Sequence, residues 1–191
     1  GVPIAYAPQG ASVTLLSDDN LVAFSKEQIL AMLSGGVYMD AQALARLNQM
    51  GYGELTGFEV DQVIAYDCIE RFTSHPLNGT MAGRQRDCRQ SFYHQAAFTL
   101  KKRDPKAEIL SGIVNYTGTE VAPCVMGVFE NRLGGRICVA GYFPWIFLHS
   151  QSKSTQMKAV MRWLSKDRLP AYVASFHKIN LWVRKPEQGA V

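Results

Sequence analysis

Residues 25–51, SKEQILAMLSGGVYMDAQALARLNQMG, constrain this chain more than any other stretch, because two helix signals flank one short apolar run. Ser25 followed by Gln28 is a capping box, Ile29, Leu30, Met32 and Leu33 follow at helical spacing, and glycine stands at the exit. GVYMD (36–40) reads as a short buried strand. Asp40 is placed to accept hydrogen bonds from the first amides of a second helix, in which Leu44, Leu47 and Met50 recur before Gly51. Upstream, VPIAYA (2–7) and SVTLL (12–16) have strand composition, and the turn-like SDDN follows them. Strand, helix, strand, helix implies an α/β chain whose parallel sheet is covered on both faces.

Further along, FEVDQVIAY (58–66) and FYHQAAFTL (92–100) read as strands, with the polar, glycine-containing loop TSHPLNGTMAGRQRD (73–87) between them. That loop is long enough to be a functional candidate. STQMKAVMRWLSK (154–166) places Met157, Val160, Met161 and Leu164 on one helical face, with Lys158 and Arg162 on a solvated one. AYVASF (171–176) and KINLWVR (178–184) read as strands.

The chain of 191 residues, with 47% hydrophobic and 19% charged residues, is long enough for one substantial core, so residues 1–191 are expected to form a single soluble domain. No apolar run approaches the ~18 residues of a membrane span, and GVPIAYAPQG is not a signal peptide. A strand-like start without a leader predicts a fragment of a longer protein. The mild net charge of +4 has its clearest local source in Arg84, Arg86 and Arg89 around Asp87, without the aromatic platforms or long basic stripe of a nucleic-acid surface. Cys68, Cys88, Cys124 and Cys138 form no C-x-x-C pair, which argues against zinc and redox sites and for buried thiols; disulfides stay open for an exported protein. No cofactor or metal is called for.

FENRLGGRICVAGYFPW (129–145) is the most motif-like stretch. A phosphate loop would lead from strand into helix, whereas the residues after Gly134 and Gly135 are β-branched and apolar, so the glycines turn a hairpin over Asn131–Gly135. None of the four cysteines sits between the small residues that a nucleophile elbow needs. Asp67, Glu70 and Glu130 are the acids that glycoside chemistry could use, with His75 as an auxiliary, against the plainer reading of surface charge. Within the 73–87 loop, His75, Asn78, Arg84, Arg86 and Asp87 could hold a sugar hydroxyl or a carboxylate; the plainer reading is a loop stapled by Arg–Asp pairing or buried in a subunit contact. Asn78 and Asn115 head glycosylation-like triplets, and Trp145, Trp163 and Trp182 are expected in core or interface packing rather than on a sugar platform.

FSKEQILAMLSGGVYMDAQALARLNQMGYGELTG (24–57) resembles a segment of glutamine-amidotransferase-like domains attached to bacterial glycoside hydrolases, among them relatives of the trimerisation domain of certain β-galactosidases. FENRLGGRICVAGY and MKAVMRWLSKDRLPAYVASFHKINLWVRK are similar to the late hairpin and the last helix and strands of such domains. The resemblance implies a three-layer, flavodoxin-like, class I glutamine-amidotransferase-like sheet with additional β-hairpins. It also implies a position downstream of a catalytic barrel and no activity in isolation. Amidotransferases use a Cys-His-Glu triad whose cysteine is flanked by glycines, and this chain departs from that pattern, so no catalytic residue carries over. The expectation is a non-catalytic accessory or oligomerisation domain of a bacterial carbohydrate-active protein, in the cytoplasm or the periplasm. Its partners would be a second copy or an upstream catalytic domain, with carbohydrate as a possible ligand and no nucleic acid or membrane. A sugar-binding module and a small hydrolase are the alternatives.

Overall fold

The computed structural model describes residues 10–17, 21–65, 68–87, 97–141, 151–169 and 171–173. In chain order the elements are β1 (Val13–Leu16), α1 (Lys26–Leu33), β2 (Gly36–Asp40), α2 (Ala41–Gln49), the short helix α3 (Gly53–Thr56), β3 (Phe58–Ile64) and β4 (Ile69–Phe72). A 3-10 helix (Pro76–Met81), β5 (Gln85–Asp87), β6 (Ala97–Lys102), β7 (Glu108–Val114), β8 (Glu120–Glu130), β9 (Arg136–Ala140) and α4 (Gln151–Leu164) follow.

Both predicted caps form. Ser25 Oγ accepts from the Gln28 amide at 3.3 Å while the Gln28 side chain accepts from the Ser25 amide at 2.8 Å. Asp40 Oδ1 accepts from the Ala43 amide at 2.8 Å, starting α2 directly at the end of β2. The hairpin also forms: Asn131 N–H bonds the Gly135 carbonyl at 2.9 Å, and Gly134 turns the chain with a φ of 75° that a side chain would resist.

The main sheet has the order β1-β2-β9-β8-β7-β4-β5, and β3 and β6 form a separate two-stranded ribbon. β1, β2 and β9 run parallel, with Gly36 opposite Arg136. The remaining neighbours in the main sheet, from β9–β8 to β4–β5, are antiparallel. The sheet is therefore mixed, which corrects the expectation of a parallel one. The turns at residues 115–119 and 131–135 are far too short for the crossover that a parallel pair needs. β8 also tolerates Pro123, which lies where the β7–β8 register shifts and no regular ladder bond is lost.

Alternation along the central strands assigns the two faces. Val37, Met39, Ile137 and Val139 pack with Ile29 and Leu33 of α1 and Leu44 and Leu47 of α2. Tyr38, Cys138, Ala140, Met126 and Val128 pack with Val160, Met161 and Leu164 of α4. Helices thus cover the sheet on both faces, in an α/β architecture of three layers. A third apolar cluster, with Ile64, Ala97, Ile113 and Val125, lies beneath the β3–β6 ribbon.

The 73–87 segment, read as a loop, instead contains the 3-10 helix and edge strand β5. β4 and β7 carry no distinct signal in the sequence, and of β8 only the end that enters the 131–135 hairpin does. The strand readings at 2–7 and 178–184, residues 174–176 of the reading at 171–176, and residues 92–96 lie outside the described residues, as do Asp67, Cys88, Trp145 and Trp182.

Candidate functional site

Glu70 sits on β4 at a position where strand alternation turns the side chain inward, beside buried Phe72 and Cys68. A carboxylate there must be paired to remain charged. Its Oε2 accepts from Arg86 Nε of the adjacent strand β5 at 2.9 Å. Its Oε1 accepts from Ser111 Oγ of β7 and from Lys153 Nζ of α4, each at 2.5 Å. The Glu70 side chain is fully buried, and those of Arg86 and Lys153 are each only 8% exposed.

Lys153 enters from the first turn of α4, donates also to Gln156 Oε1 at 2.9 Å, and lies 5.2 Å from the centre of the Phe72 ring. Gln156 Nε2 passes the connection to Asn78 Oδ1 at 2.7 Å. Asn78, in the 3-10 helix, donates to the carbonyls of Thr73 and Leu110 at 2.9 and 2.8 Å. One continuous polar network therefore joins β4, β5, β7, the 3-10 helix and α4.

Among the described residues, two cations surround one carboxylate. Burial pushes the Glu70 carboxyl up, but Lys153 and Arg86 with the Lys153 and Ser111 hydrogen bonds overcome it and hold the group below its ordinary value. Burial also pulls Lys153 down, and repulsion from Arg86 works in the same direction against the attraction of Glu70. Burial pushes the Tyr38 hydroxyl well up, with Cys138 and Glu70 adding to the effect. Burial pushes the Cys124 thiol up to about 12 and raises Cys138 strongly, so neither supplies a thiolate at neutral pH. Ser111 donates its proton to Glu70 in a fully buried position, which leaves its oxygen no approach to a substrate.

The five loop residues do not converge. Asn78 and Arg86 belong to the buried network, whereas Arg84 is exposed. Asp87 is exposed and accepts from the Tyr116 hydroxyl at 3.2 Å. Among the described residues Arg86 pairs with Glu70, and it also donates to the backbone carbonyl of Asp87 at 3.3 Å. His75 pairs with Glu108 at 3.2 Å. Asn78 is buried with its amide committed to backbone carbonyls, so it is no glycosylation acceptor.

Of the acids of the hydrolase reading, Glu70 and Glu130 are also separated. Glu70 is level with Ile113 on β7, which pairs with Ala122 on β8. Glu130 lies at the far end of β8 and pairs with Arg136 at 3.1 Å. At ~3.3 Å per residue the two levels are on the order of 25 Å apart, beyond the roughly 10 Å that paired glycosidase carboxylates span. Among the described residues no cluster of metal-ligating side chains occurs, and no helix is long and apolar enough to cross a membrane.

Lys153, Gln156 and Ser111 escaped the sequence reading. The signal was present for two of them: Lys153 and Gln156 extend the Met157–Val160–Leu164 stripe backwards by one turn, so polar side chains occupy core positions.

No protein-family model matches the sequence, and no curated protein does. Solved structures do share the fold. The mmIFT52 N-terminal domain aligns at a TM-score of 0.55 and 12% identity, covering 82% of this chain and 78% of that one. Cytoplasmic protein STM1381 from Salmonella typhimurium LT2 aligns at 0.54 and 11% identity, covering 80% and 71%. At such identities the likeness is one of fold alone. The exo-β-1,4-mannosidase Op5Man5 from Opitutaceae bacterium strain TAV5 aligns more loosely, at 0.42 and 13% identity, with 80% of this chain spanning 25% of the enzyme.

Proposed function

We propose that this chain is a non-catalytic accessory domain, built on a flavodoxin-like, class I amidotransferase-like frame, that makes subunit or domain contacts within a larger carbohydrate-active protein. One observation carries the reading: among the described residues, the groups suited to acid–base work are held apart in separate structural pairs. Glu70 is sealed between Lys153, Arg86 and Ser111, His75 is bonded to Glu108, and Glu130 to Arg136. A general acid or base must reach a substrate proton at hydrogen-bond distance, and Glu70 has no exposed surface from which to do so.

A second reading, a sugar-binding module, is favoured by the edge of the sheet at β5. There exposed Tyr116 is bonded to Asp87, and exposed Arg71 donates to the Gly118 carbonyl at 3.3 Å. An aromatic face beside carboxylate and guanidinium groups suits a saccharide.

The purified chain should self-associate, or bind the catalytic domain of its parent protein, in sedimentation experiments, and should turn over neither aryl glycosides nor glutamine. Turnover abolished by His75→Gln or Glu130→Gln would overturn the accessory reading. Saturable sugar binding lost in Arg84→Ala or Tyr116→Ala would establish the second reading instead.

A further inference from the structure

His75 occupies the N-cap of the 3-10 helix, and its ring nitrogens have different partners. Nδ1 accepts from the Leu77 amide at 3.1 Å, while Nε2 faces Glu108 Oε2 at 3.2 Å. A backbone N–H can only donate, so Nδ1 must carry a lone pair. The geometry therefore fixes the neutral tautomer with its proton on Nε2, donated to Glu108.

We propose that His75 is an acid-sensitive latch on α4: a proton added at Nδ1 sets two donors against each other, releases the Leu77 amide and loosens the turn that presents Asn78 to Gln156. The path is short. Asn78 N–H bonds the His75 carbonyl at 2.9 Å, and the Asn78 side chain holds Gln156, which in turn holds Lys153. The His75 side chain is 16% exposed, open enough to take a proton from water. Histidine is the ordinary side chain that changes charge between about pH 8 and pH 5.

The charged groups around this turn set the sign. Glu108 of β7 faces Nε2, but its side chain is 65% exposed, and such pairs contribute little. Lys153 of α4, Glu70 of β4 and Arg86 of β5 are engaged with one another behind Asn78. Arg84 is exposed and meets the turn through its backbone amide, bonded to the Met81 carbonyl at 3.0 Å. A dominant ion pair with Glu108 would make acid tighten the turn. A dominant cap makes acid loosen it.

The test compares thermal unfolding of the full chain and its His75→Asn variant between about pH 8 and pH 5, with nitrogen-detected NMR of the ring. Asparagine keeps a capping acceptor and cannot be protonated at that position. The expected result is a neutral Nε2–H tautomer at the alkaline end and a wild-type midpoint that falls by about 2–4 °C more than that of His75→Asn. Faster exchange of the Leu77 and Asn78 amides should accompany it in the wild type alone. Glu108→Gln should preserve the acid loss and covers the case in which His75→Asn does not fold. An Nδ1–H tautomer, superimposable pH profiles, or an acid loss that vanishes in Glu108→Gln would overturn the proposal.

Discussion

Glu70 shows how a buried ion can be locally required without being globally favourable. Removing one partner from such a cluster leaves the others desolvated and unpaired, which typically costs ~3–5 kcal/mol, whereas replacing the whole set with apolar side chains can be neutral. Glu70→Gln should therefore lower the unfolding free energy by about 3–5 kcal/mol in denaturant titration, because Lys153 and Arg86 would both lose the carboxylate they share. Lys153→Met should cost less, since Glu70 keeps Arg86 and Ser111. Combining the two changes should be markedly less harmful than the sum. The sign with pH follows from the depressed Glu70 value: its contribution is complete above the ordinary glutamate range and is lost as pH falls through the lower folded-state value. Wild type should lose this stability on acidification, while the Glu70→Gln/Lys153→Met variant should show a flatter acid limb.

Among the elements, the β8–β9 hairpin is pinned from inside. The Asn131 amide donates to the Leu33 and Leu55 carbonyls at 2.8 and 3.0 Å, and its carbonyl oxygen accepts from Leu133 and Gly135 amides at 3.0 Å each. Asn131→Ala should lower the melting temperature by about 4–8 °C, from roughly 2 kcal/mol of abandoned hydrogen bonds in a chain of this size. Gly135→Ala should do at least as much harm, because its Cβ would strike the Leu33 carbonyl. These elements were legible in sequence because their signals are local: Ser25 with Gln28, Asp40 before its helix, and the Asn131–Gly135 turn each act within five residues. β4 and β5 were not, because their pairing is decided by what lies above them. Glu70 reads as surface charge, and Arg86 as part of a loop stapled by Arg–Asp pairing or buried in a subunit contact, until Lys153, distant in sequence, supplies the third member. The network thus lay in separate pieces of sequence, each with an ordinary explanation of its own.

At the scale of the whole molecule, burial is deepest where both helical layers meet the sheet, at β2, β9 and β8, while β1 and β5 form its two ends. Backbone amides of the three central strands should exchange slowest, at rates tracking global unfolding, with those of β1, β5 and the β3–β6 ribbon faster. A uniform exchange pattern would contradict that layering. The central seam has a further consequence. Gly36 of β2 lies opposite Arg136 of β9, so the strand completed first waits for one that emerges 136 − 36 = 100 residues later. During synthesis, a ribosome-bound chain that has not yet delivered β9 therefore carries Val37 and Met39 beside an open ladder edge. That interval is when a chaperone would find most to hold.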